Sequence, residues 1–277
     1  MTQNTQNMTV VVTGASGRTG RRVAETLRAA GLTVRAASRA QGFDWNDRAT
    51  WADTLRGADA AYLVHPTDVG SPDATRAVGL LAHEAVSLGV RRLVLLSARG
   101  EEQARPTEES LRESGAEWTV VRAAWFAQNF SEGVLADELR RGELVFAAGD
   151  VREPFVDLRD VADVVAKVLT SGDTYVRQAI DVSGPRLLSF GEAVAEIAAA
   201  TGRDLTYRGV PARAYGEALA GFGIPPEEVA FLVEVFEGLL DGRNAHLSDG
   251  VQRVLGREPR DFADFVRESA AAGTWKE

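Results

Sequence analysis

The stretch that decides the fold is Val11-Val12-Thr13-Gly14-Ala15-Ser16-Gly17-Arg18-Thr19-Gly20, in which three evenly spaced glycines follow β-branched residues and precede a helical pattern. A loop that joins a strand to a helix presents backbone N–H groups at the positive end of the helix macrodipole. A pyrophosphate fits there where no Cβ blocks its approach, which glycine ensures. The spacing differs from the Gly-x-Gly-x-x-Gly dinucleotide motif, so a purely structural turn is the alternative. The residues predicted to bind a dinucleotide are Gly14, Ala15, Ser16, Gly17, Arg18, Thr19 and Gly20.

The composition is typical of a soluble globular protein. Of the 277 residues, 45% are apolar and 26% are charged, and the net charge is −9. Because phosphate contacts need clustered Lys and Arg, this charge argues against a nucleic-acid partner. The chain has no cysteine, which excludes disulfides, thiolate nucleophiles and cysteine-bound metals. No apolar run reaches membrane-spanning length, and the polar residues 1–7 predict a loose N-terminus, so we expect a cytoplasmic protein.

Short β-rich runs alternate with helical patterns through the first two thirds of the chain. At Asp73–Leu88, the residues Val78, Leu81 and Ala85 share one helical face with Leu88. Strands separated by helices predict crossover connections, and therefore a Rossmann-type, doubly wound parallel sheet of the α/β class. The predicted strands are Thr9–Thr13, Thr33–Ala37, Ala60–Val64, Arg92–Ser97 and Trp118–Arg122, with Gln178–Val182 as a further candidate for the sheet.

Beyond about residue 150 the regular alternation of β-rich runs with helical patterns ends, and the pattern predicts a smaller, mostly helical C-terminal lobe. Asp160 is placed to cap a helix over Val161–Leu169. Ser189 and Glu192 form a capping-box pattern ahead of another helix, which Gly202 ends. The other helices predicted in this part begin at Pro225-Pro226 and cover Asp261–Trp275.

These changes of pattern predict two domains. Residues 1–150 form the Rossmann domain, and residues 151–183 return to its sheet. Residues 184–277 form the smaller, substrate-binding lobe with the C-terminal helices. The sequence shows no internal repeat and no low-complexity linker between them.

The end of the second predicted strand carries Ser38 and Arg39. An NAD-binding protein usually places Asp or Glu here, where the carboxylate binds the ribose 2′-hydroxyl. A guanidinium instead suits the 2′-phosphate of NADP, which a carboxylate would repel. Arg18, inside the glycine-rich loop, can add a second positive group. This strand end therefore predicts a preference for NADPH over NADH, unless Arg39 is only a solvated surface charge.

Two segments are more specific than the glycine pattern, Phe43-Asp44-Trp45 and Trp125-Phe126-Ala127-Gln128-Asn129-Phe130-Ser131. Together with residues 35–39, 62–66, 92–97, 117–122 and 154–157, they make the sequence resemble the NmrA-like group of atypical short-chain dehydrogenases. Within that group it looks most like the ergot-alkaloid reductases of the agroclavine and festuclavine dehydrogenase type. The resemblance runs over nearly the whole chain.

The resemblance implies a Rossmann domain with NADP in its cleft and a substrate pocket under the smaller lobe. It places Asp44 and Trp45 by the adenine, and Val64, His65 and Pro66 along the cofactor. By the same analogy, the residues near the nicotinamide are Ser97, Trp125, Phe126 and Asn129.

The tyrosine–lysine pair of most short-chain dehydrogenases is missing from this chain. In that motif, Tyr-x-x-x-Lys, a lysine-activated tyrosine protonates the alkoxide formed from a carbonyl. The residues four positions after Tyr62, Tyr175, Tyr207 and Tyr215 are Pro66, Ala179, Pro211 and Leu219, and the only lysines are Lys167 and Lys276. Where the motif would fall, Ala104 takes the place of the tyrosine and Glu108 that of the lysine.

The missing tyrosine–lysine acid narrows the range of substrates to which hydride transfer is expected. Hydride addition to a ketone forms an alkoxide, which benefits from a positioned acid. Addition to an iminium yields an amine and needs no acid, and quinones and activated enones give delocalised anions. For such substrates the protein supplies orientation and a dry cleft. Ser97 and Glu108 are the candidates for a catalytic role: Ser97 or a water can supply a proton, and Glu108 is either a base or a solvated carboxylate at a helix start.

Aromatic residues are the candidates for the substrate pocket. Trp125 and Phe126 follow a strand end, where they either pack a flat substrate against the nicotinamide or simply fill a core. Phe222, with Phe231 and Phe236, either lines the same pocket or belongs to a plain helical core.

The three histidines predict no metal site. His83 lies in a predicted helix and His246 in a polar loop, and neither has partners at ligand spacing. His65 ends a strand where the cofactor should pass, so it either contacts the cofactor or substrate or bonds locally.

Taken together, the residues predict an NADPH-dependent reductase that transfers hydride to an electron-poor C=N, quinone or conjugated carbonyl of a small, aromatic or alkaloid- or polyketide-like metabolite. One alternative is a non-catalytic NADP-binding redox sensor of the NmrA type, which binds a protein partner. Another is an NADPH-using tailoring enzyme of secondary metabolism that performs coupling or isomerisation. The expected assembly is a monomer or a homodimer.

Overall fold

The computed structural model describes residues 8–221 and 223–276. The predicted loose N-terminus at residues 1–7 and the pocket candidate Phe222 therefore lie outside the described residues. In chain order, the strands are β1 (Thr9–Thr13), β2 (Thr33–Ala37), β3 (Ala60–Leu63), β4 (Arg92–Ala98), β5 (Glu117–Ala123), β6 (Glu143–Phe146), β7 (Arg152–Glu153), β8 (Gln178–Val182), β9 (Leu188–Ser189) and β10 (Thr206–Gly209). The α-helices are α1 (Arg18–Ala29), α2 (Trp51–Leu55), α3 (Pro72–Ser87), α4 (Arg105–Glu113), α5 (Val134–Arg140), α6 (Leu158–Thr170), α7 (Phe190–Thr201), α8 (Ala212–Gly221), α9 (Pro226–Leu239), α10 (Gly250–Leu255) and α11 (Phe262–Ala271).

The chain divides into two compact units. The first, called here the sheet unit, contains residues 1–123, 158–182 and 249–257, and the second, the aromatic unit, contains residues 124–157, 183–248 and 258–277. The sequence placed residues 1–183 with the sheet and residues 184–277 in the smaller lobe, and this division differs from that expectation. Residues 124–157 and 183 belong to the aromatic unit, and residues 249–257 belong to the sheet unit because α10 packs on α6 and β8.

Six parallel strands form the sheet, in the order β2-β1-β3-β4-β5-β8. The chain runs from β1 outward to β2 and then crosses back to β3, so the topological switch lies between β1 and β3. This is the doubly wound parallel sheet predicted from the sequence, and Gln178–Val182 joins it beside β5. Every predicted strand is present, with its ends within one residue of the prediction.

Both faces of the sheet are buried. Val10, Val11 and Val12 of β1 are all fully inaccessible to solvent. Because successive side chains of a strand point to opposite faces, helices must cover both sides, as is usual for a parallel sheet. Val11 belongs to a core cluster with Leu55 of α2 and Val78 of α3, while α1 packs against α6.

The helix predicted over Asp73–Leu88 is α3, which begins one residue earlier and ends one residue earlier. The side chain of Ser71 caps it by accepting a hydrogen bond from the Ala74 N–H at 3.2 Å. Val78, Leu81 and Ala85 of the predicted apolar face are buried, whereas Leu88 is half-buried. With 16 residues α3 is the longest described helix, and no helix in the described part of the chain has the length and apolar character to cross a bilayer.

Asp160 is not the helix cap that the sequence predicted. α6 begins at Leu158, so Asp160 lies within its first turn, fully buried, and accepts a hydrogen bond from Arg257 at 2.7 Å. Arg257 also bonds Asp163 at 2.7 Å. A carboxylate in the first turn of a helix interacts favourably with the helix dipole, as a capping carboxylate does. The residue type alone therefore does not distinguish the two positions, and the predicted helix start was wrong.

The aromatic unit is built around packed rings. Phe130, Phe155 and Phe190 contact one another with ring centroids 5.1–5.6 Å apart. Trp275, near the C-terminus, is buried with them, and its indole N–H donates to the Phe130 carbonyl at 2.7 Å. The unit also contains two short sheets that the mostly helical prediction missed, β6 with β10 and β7 with β9. Strands of two to four residues are too short for an alternating pattern to reveal.

The other helix signals in the C-terminal part are confirmed. Ser189 and Glu192 form the predicted capping box at the start of α7, with bonds of 2.8 and 3.1 Å. Gly202 ends α7 in the left-handed conformation. The helix predicted after Pro225-Pro226 is α9, and the one predicted in the tail is α11, capped by Asp261.

Gly20 sets how closely α1 approaches the loop after β1, and it provides a test of the packing. A Cβ at this position would lie 2.2 Å from the carbonyl oxygen of Gly14 and 2.9 Å from that of Thr13. Since backbone cannot yield as a side chain does, Gly20→Ala should lower the free energy of unfolding in urea by about 1–3 kcal/mol. Gly221→Ala is the control, because no described atom lies within 4 Å of a Cβ there. A loss of equal size in both variants would contradict the packing argument.

Candidate active site

The loop after β1 is a tight turn that only glycine fits. Gly14 has a φ of +59°, in the left-handed region, and a Cβ there would lie 2.8 Å from Cγ1 of Val64. The N–H of Gly17 donates to the Gly14 carbonyl at 2.8 Å, which closes the turn. The chain then enters α1 directly.

The start of α1 suits an anion. Gly17, the residue that precedes the helix, contributes no side-chain cap, and the first turn contains no acidic residue. The first N–H groups of a helix lack intrahelical acceptors and lie at the positive end of its dipole. The observed backbone is therefore compatible with a pyrophosphate, and the contact itself stays a prediction.

Thr13 connects this loop to the end of β3. Its side chain is fully buried, and Oγ1 accepts a hydrogen bond from the Val64 N–H at 2.8 Å. The same hydroxyl lies 3.2 Å from the carbonyl oxygens of Tyr62 and Val64, to which it can donate. The backbone ladder between β1 and β3 has ended by this point. A side chain thus continues the pairing where the two strands separate, at the switch point where ligands bind in open α/β sheets.

The end of β2 adjoins the same loop. The Ala15 N–H donates to the Ala37 carbonyl at 3.4 Å. Ser38 then leads into a short 3₁₀ turn at Arg39–Gln41, and its hydroxyl bonds the Gln41 side chain. Arg39 is exposed and forms no ion pair with any residue in the described ranges. The position therefore offers a guanidinium and no carboxylate beside the glycine loop.

The aromatic residue expected by the adenine, Trp45, lies largely in the core of the sheet unit. It is 7% exposed and contacts Phe43 and His65 edge-on, at centroid distances of 5.6 and 5.1 Å. Its indole N–H has no hydrogen-bond partner among the residues described. Asp44 is half-buried and shapes the turn, since its carboxylate accepts from the Asn46 N–H at 2.9 Å. The adenine contact of both residues stays a prediction.

The segment that follows β3 contains Val64, His65 and Pro66. It lies beside the glycine loop because Val64 contacts Thr13 and Gly14. His65 bonds locally, with Nδ1 2.9 Å from the Thr67 hydroxyl. Burial lowers the pKa of His65 despite the nearby Asp73 and Asp68, so the imidazole is neutral at physiological pH. Pro66 is exposed.

Ser97 is part of a buried ionic network. Its hydroxyl donates to Oε1 of Glu108 at 2.8 Å. Glu108 is 2% exposed and also accepts from Nε of Arg122 at 2.8 Å and from Arg112 at 3.3 Å. The prediction that Glu108 is a solvated carboxylate is therefore wrong. Arg122 stands directly opposite Ser97 on the neighbouring strand, and the hydrogen bonds to Glu108 raise its pKa.

The arginine partners of Glu108 were not found from the sequence. Arg122 is 14 residues further along the chain, and only the pairing of β4 with β5 brings it beside Ser97. The available signal was a charged residue, Arg122, directly after the buried Val120 and Val121 in a strand of the central sheet.

The residues expected near the nicotinamide from residue 125 onward belong to the aromatic unit. Trp125 is half-buried and packs edge-on against Phe146 and Phe190, each with a centroid distance of 5.6 Å. Its indole N–H is buried and has no hydrogen-bond partner within the described residues. Phe126 forms a bridge to Val156, and the half-buried Asn129 lies in the next 3₁₀ turn. Of the two interpretations of Trp125, the contacts favour core packing for most of its ring.

His83 and His246 both bond carbonyl groups of their own segments. Nδ1 of His83 lies 2.8 Å from the Gly79 carbonyl, and Nδ1 of His246 lies 3.1 Å from that of Arg243. Within residues 8–221 and 223–276, no three His, Cys, Asp or Glu side chains are grouped in a way that could hold a metal ion.

The sheet topology and the glycine turn define a Rossmann-type nucleotide-binding protein, and comparison with known proteins is consistent with this class. Residues 14–172 match the family described as NAD(P)H-binding. The (4-alkanoyl-5-oxo-2,5-dihydrofuran-3-yl)methyl phosphate reductase of Streptomyces griseus is 35% identical, over 95% of this chain and 98% of its own. The agroclavine dehydrogenase of Claviceps fusiformis is 29% identical, over 95% of this chain and 97% of its own. The chain belongs to the NAD(P)H-binding family, and it is an oxidoreductase.

Solved structures share the fold. The triphenylmethane reductase of Citrobacter sp., complexed with NADP(H), superposes with a TM-score of 0.75 at 17% identity and covers 95% of this chain and 99% of its own. NmrA, a negative transcriptional regulator, gives a TM-score of 0.71 at 16% identity, with 97% of each chain covered. The predicted resemblance to NmrA-like proteins and clavine dehydrogenases is confirmed.

The Glu108 network predicts a clear effect on stability. Glu108→Gln removes the charge that two arginines share, and it should lower the free energy of unfolding by about 1.5–3 kcal/mol in urea denaturation. Glu109→Gln is the matched control, because Glu109 is exposed on the same helix and, among the residues that the structure describes, pairs with Arg112 alone, at 3.1 Å. Its effect should stay below about 0.5 kcal/mol. Equal effects would show that burial of Glu108 does not matter.

Proposed function

We propose that this oxidoreductase transfers hydride from NADPH to an electron-poor C=N, quinone or conjugated carbonyl group of a small metabolite. The observation that carries the proposal is the set of residues at the place of the usual acid pair. Ala104 and Glu108 stand there instead of tyrosine and lysine, and Glu108 is held by Arg122, Arg112 and the Ser97 hydroxyl.

Ser97 is not free to act as an acid in this arrangement. Its proton is donated to Glu108, whose negative charge is held by the two arginines. Ser97 is therefore not placed to protonate a localised alkoxide in this arrangement. A delocalised enolate or hydroquinone anion, or the amine formed from an iminium, does not need one in the hydride-transfer step. The network instead fixes the position of β4 relative to β5 and α4.

The backbone and Arg39 support NADPH as the reductant. The Gly14–Gly20 segment would hold the pyrophosphate, and Arg39 would bind the 2′-phosphate as a charge-assisted partner. When bound, NADPH supplies the hydride. Val64 is held on this loop by Thr13, which supports a cofactor path that begins at Val64 and continues along His65 and Pro66.

The Streptomyces relative supports the conjugated carbonyl among the three substrate classes. Its name describes a 2,5-dihydrofuran ring with a 5-oxo and a 4-alkanoyl group, so the ring double bond is conjugated with two carbonyls. Hydride addition to such an alkene gives an anion spread over both oxygens. This is the kind of substrate for which the missing acid costs least.

Trp125, Phe126 and Asn129 remain our proposed substrate contacts, in the aromatic unit. Trp125 is only half-buried, and its ring has Phe146, Phe190 and Phe236 behind it. A rigid aromatic wall of this kind suits a flat, apolar substrate.

A second candidate function is a redox sensor that binds NADP(H) without turnover. The absence of the tyrosine–lysine pair favours it, because a sensor has no need of an acid. The two candidates differ in one measurable property, the consumption of NADPH.

NADPH oxidation with a substrate panel tests the proposal. We expect turnover with an acylated butenolide, a quinone or a cyclic iminium, and none with a simple saturated ketone such as cyclohexanone. Faster turnover of the ketone would contradict the proposal. Tight binding of both NADPH and NADP⁺ without turnover of any compound would favour the sensor.

Arg39→Ala tests the choice of cofactor. Loss of one charge-assisted contact of about 1.5–3 kcal/mol should raise the Kd for NADPH by roughly 10- to 100-fold in calorimetry. The Kd for NADH, which lacks the 2′-phosphate, should change little. Arg28→Ala is the control, because it removes the same charge from the exposed far end of α1. Equal losses for both cofactors would rule out the 2′-phosphate contact.

A further inference from the structure

The five tryptophans of the chain differ in what their indole N–H groups bond. Trp51 and Trp275 are buried, and each donates to a backbone carbonyl, at 2.8 and 2.7 Å. The N–H groups of Trp45 and Trp125 are also shielded from solvent, yet neither has a hydrogen-bond partner among the described residues. Buried indole N–H groups normally find an acceptor, so an unpaired one requires an explanation.

Of these two tryptophans, Trp125 follows a central strand of the sheet. It comes two residues after β5, and its carbonyl accepts a hydrogen bond from the Val156 N–H at 2.8 Å. The three rings that contact its indole belong to Phe146, Phe190 and Phe236. A phenyl ring has no acceptor atom, and an N–H over its face forms only a weak bond. The indole N–H is therefore a donor to which the described part of the chain offers no conventional acceptor.

An indole N–H restricts the kind of substrate that can bond it. It is a donor only, so its partner must offer a lone pair. The oxygen of a conjugated carbonyl or of a quinone has one, whereas the nitrogen of an iminium has none. Of the three proposed substrate classes, this donor therefore suits the conjugated carbonyl and the quinone.

We propose that the indole N–H of Trp125 donates a hydrogen bond to the carbonyl oxygen of a conjugated carbonyl or quinone substrate, and stabilises the negative charge that hydride transfer places on that oxygen. This inference rests on the proposed function, because it concerns the same reaction. A fixed donor aimed at an oxygen where charge develops stabilises the transition state more than the ground state.

The electrons balance without an acid from the protein. When hydride from NADPH adds to the β-carbon of an enone, the electron pair of the C=C bond forms a new double bond to the carbonyl carbon. The π pair of the carbonyl then moves to the oxygen, and NADP⁺ is left. The indole keeps its proton throughout, and water protonates the enolate at the α-carbon and becomes hydroxide.

A substrate oxygen reaches this N–H only when a covering side chain moves aside. Helix α9 is suited to yield, because Val235 and Leu239 are the only buried residues among the 14 described residues of this helix. Its Phe236 is half-buried and lies 6.3 Å from the Trp125 ring, compared with 5.6 Å for the other two rings. In this proposal the substrate takes the place of the Phe236 ring against the indole.

Trp125→Phe tests the donor, because it keeps a ring in the aromatic wall and removes the N–H. With an acylated butenolide as substrate, kcat should fall roughly 10- to 100-fold. KM should change less than about threefold, because the bond strengthens as charge develops on the oxygen. Trp118→Phe is the matched control, since the half-buried Trp118 lies at the other end of β5, and its kcat should stay unchanged. An equal Kd for NADPH in all three proteins would show that both variants fold.

NMR detects the same bond without turnover. The indole ¹H resonance of Trp125 is assigned by its absence from Trp125→Phe. It should move downfield when the butenolide is titrated into the unmodified protein saturated with NADP⁺. The same titration with 2,5-dihydrofuran, which has no carbonyl oxygen, should leave the resonance in place.

The outcomes separate this inference from the proposed function. An unchanged kcat in Trp125→Phe, a rise in KM alone, an equal loss with a cyclic iminium, or an indole resonance that stays in place with the butenolide would overturn the Trp125 donor alone. Turnover of the iminium without turnover of the butenolide or a quinone would also overturn it. If the unmodified protein oxidises NADPH with none of these compounds, the proposed function fails and this inference fails with it.

Discussion

The hydrogen bond between the Thr13 hydroxyl and the Val64 N–H is the contact on which the candidate site depends. Parallel strands that separate at their carboxyl ends leave a crevice, but they also leave backbone groups without partners. Thr13 satisfies one of these groups with a side chain. It thereby keeps the glycine turn and the chain after β3 in contact while the main chains diverge. Gly14 has no Cβ, which lets Val64 pack against the turn at that point.

One strand further along, a different kind of constraint operates. Ser97, Glu108 and Arg122 satisfy one another inside the protein, so a polar group at a strand end need not serve catalysis. A buried carboxylate costs free energy unless it is paired, and the guanidinium that pairs with it must also be held. Here the Glu108 carboxylate accepts hydrogen bonds from Ser97, Arg122 and Arg112. The network is therefore a structural support at the end of β4, beside the proposed site.

The sheet could be predicted from the sequence because each of its strands is a local signal. A strand buried on both faces appears as a short apolar run, and Thr9–Thr13 was found to the residue. Ionic partners are not local. Asp160 was interpreted as a helix cap because nothing in the sequence around it indicates its ion-pair partner Arg257, which is 97 residues away. Glu108 was interpreted as solvated because its partner Arg122 lies on β5, and nothing in the sequence around Glu108 indicates that contact. The two-residue strands β7 and β9 exist only as a pair, so neither could be predicted alone.

The interleaved path of the chain has a consequence for biosynthesis. The sheet unit is assembled from three separated segments, and the last of them, residues 249–257, carries the arginine that neutralises the buried Asp160. A chain leaving the ribosome can therefore form the glycine turn early, whereas the ion pair between Asp160 and Arg257 forms only after residue 257 has been translated. Shortened chains that stop before this segment would contain every residue of the proposed cofactor loop and would lack this ion pair within the sheet unit.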